Sequence, residues 1–131
     1  MSVMRDLKLL FASELSKHPF VRLASLFGSQ AKGKATQRSD LDIAVLLQEP
    51  LSDPLRMKLD LIEALEKISQ MEVDVTVLNQ AGAVLKYQVT KDGQLIFERQ
   101  KGEYKKFVLA SWKEYFDFQP TLEFFYRKKI A

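Results

Sequence analysis

Apolar residues at Met4, Leu7, Leu10, Phe11 and Leu15 recur at helical spacing, and His18-Pro19 then interrupts the pattern. The spacing predicts a helix over about residues 3–17. The next segment, FVRLASLF at 20–27, is rich in β-branched and aromatic residues and stops at Gly28, so it reads as a strand running into a Gly28-Ser29 turn. Residues 32–39, KGKATQRS, are polar and predict a loop or short helix. They lead into LDIAVLL, whose unbroken apolar run reads as a buried strand with Asp40 and Asp42 at its beginning.

Ser52-Asp53-Pro54 then sets a capping side chain ahead of a proline at a first helical position. Leu55, Leu59, Ile62, Leu65 and Ile68 follow at the helical period, predicting a helix over about 54–69. EVDVTVL at 72–78 alternates Val73, Val75 and Val77 against Asp74 and Thr76, a strand with two distinct faces and Asp74 turned away from the valines. A helical stretch from Gly82 to Thr90, a Lys91-Asp92-Gly93 turn and a short strand at Gln94–Glu98 come next. An aromatic-rich helix is expected over about 103–116, and Pro120 separates it from a last short helix at about 121–129. Helices and strands thus alternate as an α/β (α+β) chain: a small mixed β-sheet flanked by helices, with a helical C-terminal tail.

The length, 131 residues, fits one domain, with a core over about 3–98 and the aromatic segment over about 103–130. Hydrophobic residues make up 47% and charged ones 28%, so neither disorder nor a fibrous architecture is indicated. The chain has no cysteine, which excludes disulfides, thiolate metal sites and cysteine nucleophiles. The N-terminal stretch carries charges inside its apolar run, and no run approaches the ~20 apolar residues of a membrane span. No membrane partner is expected, and the default address is cytoplasmic. A net charge of +3, with basic and acidic residues interspersed, allows an anionic ligand such as a nucleotide without requiring nucleic acid.

The chemistry concentrates in residues 28–42, GSQAKGKATQRSDLD. Side chains at i and i+2 of a strand project to one face, so Asp40 and Asp42 can aim two carboxylates at one point while Leu41 turns to the core. Carboxylates that close repel unless a cation lies between them. Mg²⁺ suits the pair, because it takes oxygen ligands and is held by one or two carboxylates together with substrate phosphates. Upstream, Gly28 lets backbone approach a phosphate, and Ser29 and the amides that follow can donate to its oxygens. Asp74 is a candidate third carboxylate, able to ligate metal or to take the proton of an attacking hydroxyl. The plainer alternative is a turn capped by Ser39 and Asp40 with Asp42 exposed. His18, the single histidine, reads as a helix-end residue outside this group.

Gly28, Ser29, a ten-residue spacer, Asp40-Leu41-Asp42 and the later Asp74 resemble the signature of minimal nucleotidyltransferases in the DNA polymerase β-like superfamily. Members often read Gly-Ser-x-Ala-Arg-Gly before Ser-Asp-x-Asp. Here the stretch reads Gly28-Ser29-Gln30-Ala31-Lys32-Gly33 and Ser39-Asp40-Leu41-Asp42, and Lys32 keeps the charge without the bidentate fork of arginine. The segment LNQAGAVLKYQVTKDGQLIFE after Asp74 is similar to the helix and strand that follow the third carboxylate in MntA-type antitoxins. The resemblance covers about residues 20–100 and is strongest at 28–42.

It implies a nucleotidyltransferase fold and transfer of AMP from ATP to a tyrosine hydroxyl of a cognate HEPN-type RNase toxin, in a hetero-oligomer. Asp40, Asp42 and Asp74 would be catalytic and hold Mg²⁺; Gly28, Ser29, Lys32 and Ser39 would bind the nucleotide. The aromatic group Trp112, Tyr115, Phe116, Phe118, Phe124, Phe125 and Tyr126 divides between core packing and a partner surface. Two other readings stand beside this one: neutralisation of the partner by binding alone, and nucleotidyl transfer to a small hydroxylated molecule such as an aminoglycoside.

Overall fold

The computed structural model describes residues 3–28 and 41–130. Four strands form one mixed sheet in the order β3-β2-β1-β4. They are β1 (Val21–Phe27), β2 (Leu41–Leu47), β3 (Val73–Val77) and β4 (Gln94–Glu98). β1 is antiparallel to both β2 and β4, and β2 is parallel to β3. Four α-helices flank the sheet: α1 (Val3–Ser16), α2 (Pro54–Ser69), α3 (Ala83–Asp92) and α4 (Glu103–Ile130). Among the described residues, no helix is long and apolar enough to cross a membrane.

Strand alternation splits the apolar residues between the two faces. Leu41, Ile43, Val45 and Leu47 of β2 and Val73, Val75 and Val77 of β3 share the main core with Phe11 and Leu15 of α1 and Leu61 and Leu65 of α2. Met4 and Met57 pack against that core, as their helical spacing predicts. The other face carries a smaller core of Leu23, Ala44, Leu78 and Val89, against which Tyr104 and Phe107 of α4 pack. β1 serves both cores by the same alternation, and a register shift between Val21 and Leu23 turns Val21 to the side of Ala24 and Leu26 in the main core, opposite Leu23.

Local chemistry fixes the boundaries. Asp53 caps α2, its Oδ1 accepting from Arg56 N at 3.2 Å, and Pro54 occupies the first turn. The helix ends at Gln70 in the left-handed region, whose N–H donates back to the Glu66 carbonyl. Glu66 Oε2 accepts from Val73 N at 2.9 Å and so guides the chain into β3.

At the C-terminal end of β2 the Asn79 side chain stands in for a strand neighbour. Its Oδ1 accepts from Leu47 N at 2.8 Å and its Nδ2 donates to Leu47 O at 2.9 Å. At the same end of the sheet, Arg99 donates to the carbonyls of Ser16, His18 and Val21. Arg22 pairs with Glu103 and Gln48 there as well. Polar side chains at that end are spent on holding backbone together. His18 pairs with Glu14 in the same region, at 3.0 Å, as a helix-end residue would.

Two boundaries differ from the sequence reading. α3 runs through Lys91 and Asp92, where a turn was expected, and the chain turns only at Gly93. Gly93 fits closely enough that a Cβ there would lie 2.4 Å from the Val89 carbonyl oxygen, so the helix can run up to it before the sharp exit. The expected break at Pro120 is absent: α4 is one helix of 28 residues with Pro120 inside it. Proline's fixed φ is helical, but its ring removes one backbone donor and crowds the carbonyl four residues back. The carbonyl left over belongs to Phe116, a residue 52% exposed, where water can take the place of that donor.

Candidate active site

The opposite end of the sheet, where β1 ends and β2 and β3 begin, gathers the acidic groups. Phe27 is the antiparallel partner of Asp42, and Asp42 is the parallel partner of Asp74. Residues in register on neighbouring strands project to the same face, about 5 Å apart, so the two carboxylates stand side by side. Leu41 and Val73, and Ile43 and Val75, turn the other way into the main core. Asp42 is half-buried and Asp74 exposed, which makes Asp74 the outer member of the pair. The adjacency that a third carboxylate needs is therefore met for these two residues.

Gly28 closes the arrangement from the β1 side. Its φ of +80° lies in the left-handed region, and a Cβ at that position would stand 2.5 Å from Asp42 Oδ2. The backbone of the turn thus touches the carboxylate, a spacing only glycine permits. A phosphate held by this turn would lie against a cation held by the aspartates, which is what joint binding of a metal–nucleotide complex requires. Asp40, Ser29, Lys32 and Ser39 lie outside the described residues. Among the described residues no three acidic or histidine groups converge as a metal cage, so Asp42 and Asp74 are the visible pair of the expected three.

The face next to the carboxylates is walled by α3 and α4. Lys86 Nζ bonds Glu114 Oε2 at 2.9 Å and Trp112 Nε1 donates to Thr90 Oγ1 at 2.9 Å, tying the two helices together. The rings of Tyr87 and Tyr115 stack at 4.0 Å with 8° between their planes, and Phe116 meets both edge-on. The aromatic group expected near the C-terminus therefore divides: Trp112 and Tyr115 pack on α3, whereas Phe118 and Phe124 are 38% and 60% exposed. Sequence reasoning missed Tyr87 and Asn79. Tyr87 looked like one more helical position, and Asn79 could have been noticed only as a polar residue immediately after an apolar strand.

Behind this wall, Ser25 Oγ and the Tyr104 hydroxyl are buried without a hydrogen-bond partner of sound geometry among the described residues. Both line the tight approach at Gly93, whose missing Cβ would lie 3.3 Å from each. Burial pushes the Tyr104 phenol above the ordinary tyrosine value, with nearby Ser25 pulling weakly the other way.

The chain is similar in sequence and fold to known proteins. Residues 11–102 match the family described as polymerase beta, nucleotidyltransferase. The chain is 30% identical over 101 residues to the protein adenylyltransferase MntA of Aphanizomenon flos-aquae, covering 71% of this chain and 67% of that protein. A toxin–antitoxin crystal structure with AMP-PNP superposes with a TM-score of 0.79 at 25% identity, over 95% of this chain and 98% of the matched one. A tri-AMPylated Shewanella oneidensis HEPN toxin in complex with its MNT antitoxin shares the fold at a TM-score of 0.69 and 23% identity, over 95% and 99% of the two chains. With the family match spanning most of the chain and the sheet, carboxylate pair and glycine turn in place, the chain belongs to the polymerase β nucleotidyltransferase family and is a nucleotidyltransferase.

Proposed function

We propose that the protein is an antitoxin-type adenylyltransferase that moves AMP from ATP to a tyrosine hydroxyl of a cognate HEPN-type toxin, with Mg²⁺ at its carboxylates. The observation that carries the proposal is the pairing of Asp42 with Asp74 directly against the Gly28 turn. Support for ATP comes from the AMP-PNP in the related toxin–antitoxin structure, and support for a protein acceptor from the name of the MntA relative. The toxin partner follows from the likeness to toxin–antitoxin complexes along nearly the whole chain.

Asp40, Asp42 and Asp74 would hold Mg²⁺, which supplies charge neutralisation and alignment of the triphosphate. The Gly28-Ser29 turn, with Lys32 and Ser39, would bind the triphosphate beside that metal and so position it. The acceptor oxygen forms a bond to the α-phosphorus as the bond to pyrophosphate breaks. Asp74, the exposed outer carboxylate, would take the phenolic proton. Positioning and charge carry the step, and no covalent enzyme intermediate is needed.

The test incubates the purified protein with α-labelled ATP, Mg²⁺ and the partner protein. Label on a partner tyrosine, lost with EDTA and in Asp42→Asn and Asp74→Asn, is expected. Absence of label from a preparation that binds ATP would sink the proposal. A second reading, neutralisation by occlusion, is favoured by the exposed Phe118 and Phe124 on α4. It predicts that both aspartate variants still silence the toxin.

A further inference from the structure

A cleft of about 460 Å³ opens beside Gly28, between the end of β1, α3 and α4. That volume lies within the range of about 300–1,000 Å³ seen for small-molecule sites. Phe27, Val84 and Leu85 give it an apolar wall. Val84 and Leu85 are 39% and 40% exposed, and α3 buries only Val89 and Thr90, so among the described residues nothing covers this side of the helix. Gln88 stands three and four residues on from Leu85 and Val84, hence on the same helix face. Its amide makes no hydrogen bond among the described residues, while Lys86 on the other side of the helix is paired with Glu114. The stacked Tyr87 and Tyr115 rings close the outer end of the wall and hold α3 against α4.

Lys91 and Asp92 add charge at one edge of the cleft, while its apolar surface, the uncommitted Gln88 amide and its contact with Gly28 together describe a seat for a planar base. We propose that the cleft is the nucleobase subsite of the same centre and that Gln88 selects adenine; this rests on the reading of the site as a nucleotide site. A carboxamide offers a donor and an acceptor side by side, matching the N7 acceptor and N6 amino donor of adenine. Guanine presents two acceptors on that edge, N7 and O6, and would set one against the Gln88 carbonyl. The base lies on Val84 and Leu85, its edge meets Gln88, and the triphosphate passes Gly28 toward Asp42 and Asp74. Gln88 is thus a specificity-determining residue, remote from the reacting phosphorus.

Equilibrium binding of the Mg²⁺ complexes of ATP, GTP, CTP and UTP to the full chain tests this without any acceptor present. The wild type binds ATP most tightly. Gln88→Leu lowers ATP affinity by roughly tenfold and brings it level with GTP, the size expected for one bidentate base contact. Val84→Trp, which fills the cleft, weakens all four nucleotides but leaves Mg²⁺-tripolyphosphate binding in place. Equal affinity of the wild type for the four nucleotides, or an ATP preference that survives Gln88→Leu, overturns the inference while leaving nucleotidyl transfer standing. If ATP selection holds and Gln88→Leu removes it but no AMP reaches a protein, the inference stands and the proposed acceptor falls. A folded wild-type chain that binds no nucleotide overturns both.

Discussion

At position 28 the backbone adopts φ +80°, and the space a Cβ would fill is taken by Asp42 Oδ2 at 2.5 Å. Gly28→Ala therefore combines a left-handed strain of about 1–2 kcal/mol with displacement of the carboxylate. A shift of that kind at a reacting centre costs about 100-fold in rate. Initial rates of label transfer and a thermal melt of the same variant separate the two effects, with activity expected to fall far more than stability.

Tyr104 gives a second residue-level prediction. Burial favours its neutral form, so the folded-state pKa is raised above the ordinary 10.0. The stability this contributes is fully present below pH 10 and is lost as pH rises through the folded pKa, because the unfolded chain releases the proton first. Tyr104→Phe should flatten the alkaline fall in stability measured by urea unfolding between about pH 9 and pH 11. At neutral pH it should leave stability unchanged or slightly raised, since the hydroxyl it deletes is buried without a good partner.

Among the elements, the sheet strands, α1 and α2 were legible because each carries a periodic pattern long enough to count and a turn or cap signal at its edge. Ser52-Asp53-Pro54 marks the start of α2 in the sequence and Asp53 caps it in the structure. α3 and α4 were less legible. Their limits depend on what packs beside them: Gly93 ends α3 by close approach, and α4 passes through Pro120 where the carbonyl left over belongs to the exposed Phe116. Pro120→Ala should lengthen the protected part of α4 in hydrogen exchange, since proline costs about 3 kcal/mol in a helix interior. The global melting temperature should change little, because among the described residues of α4 the last fully buried one is Ser111.

For the molecule as a whole, the division of labour is between the two ends of the sheet. One end spends Arg99, Arg22 and Asn79 on tying backbone, and the other presents Asp42 and Asp74 beside a glycine turn. Ending the chain after Gln119 should leave the two cores intact and the domain folded, while removing exposed aromatic surface beyond it, including Phe124. Nucleotide binding by the shortened protein should match the full chain, and capture of the toxin in a pull-down should be lost; retained capture would move the interface elsewhere.

The sequence by itself determined the order of the elements as far as β4, the apolar face of each strand and the residue types able to bind a metal nucleotide. All three are local properties, set by period, capping and donor chemistry within a few residues. Tertiary structure alone decided that Asp74 adjoins Asp42, since β2 and β3 are brought into register by parallel pairing across a helix-long connection. It also decided that Gly28 touches a carboxylate, and that α3 leaves Gln88 facing a cleft beside that contact. Those facts depend on how distant segments pack, and no spacing along the chain encodes them.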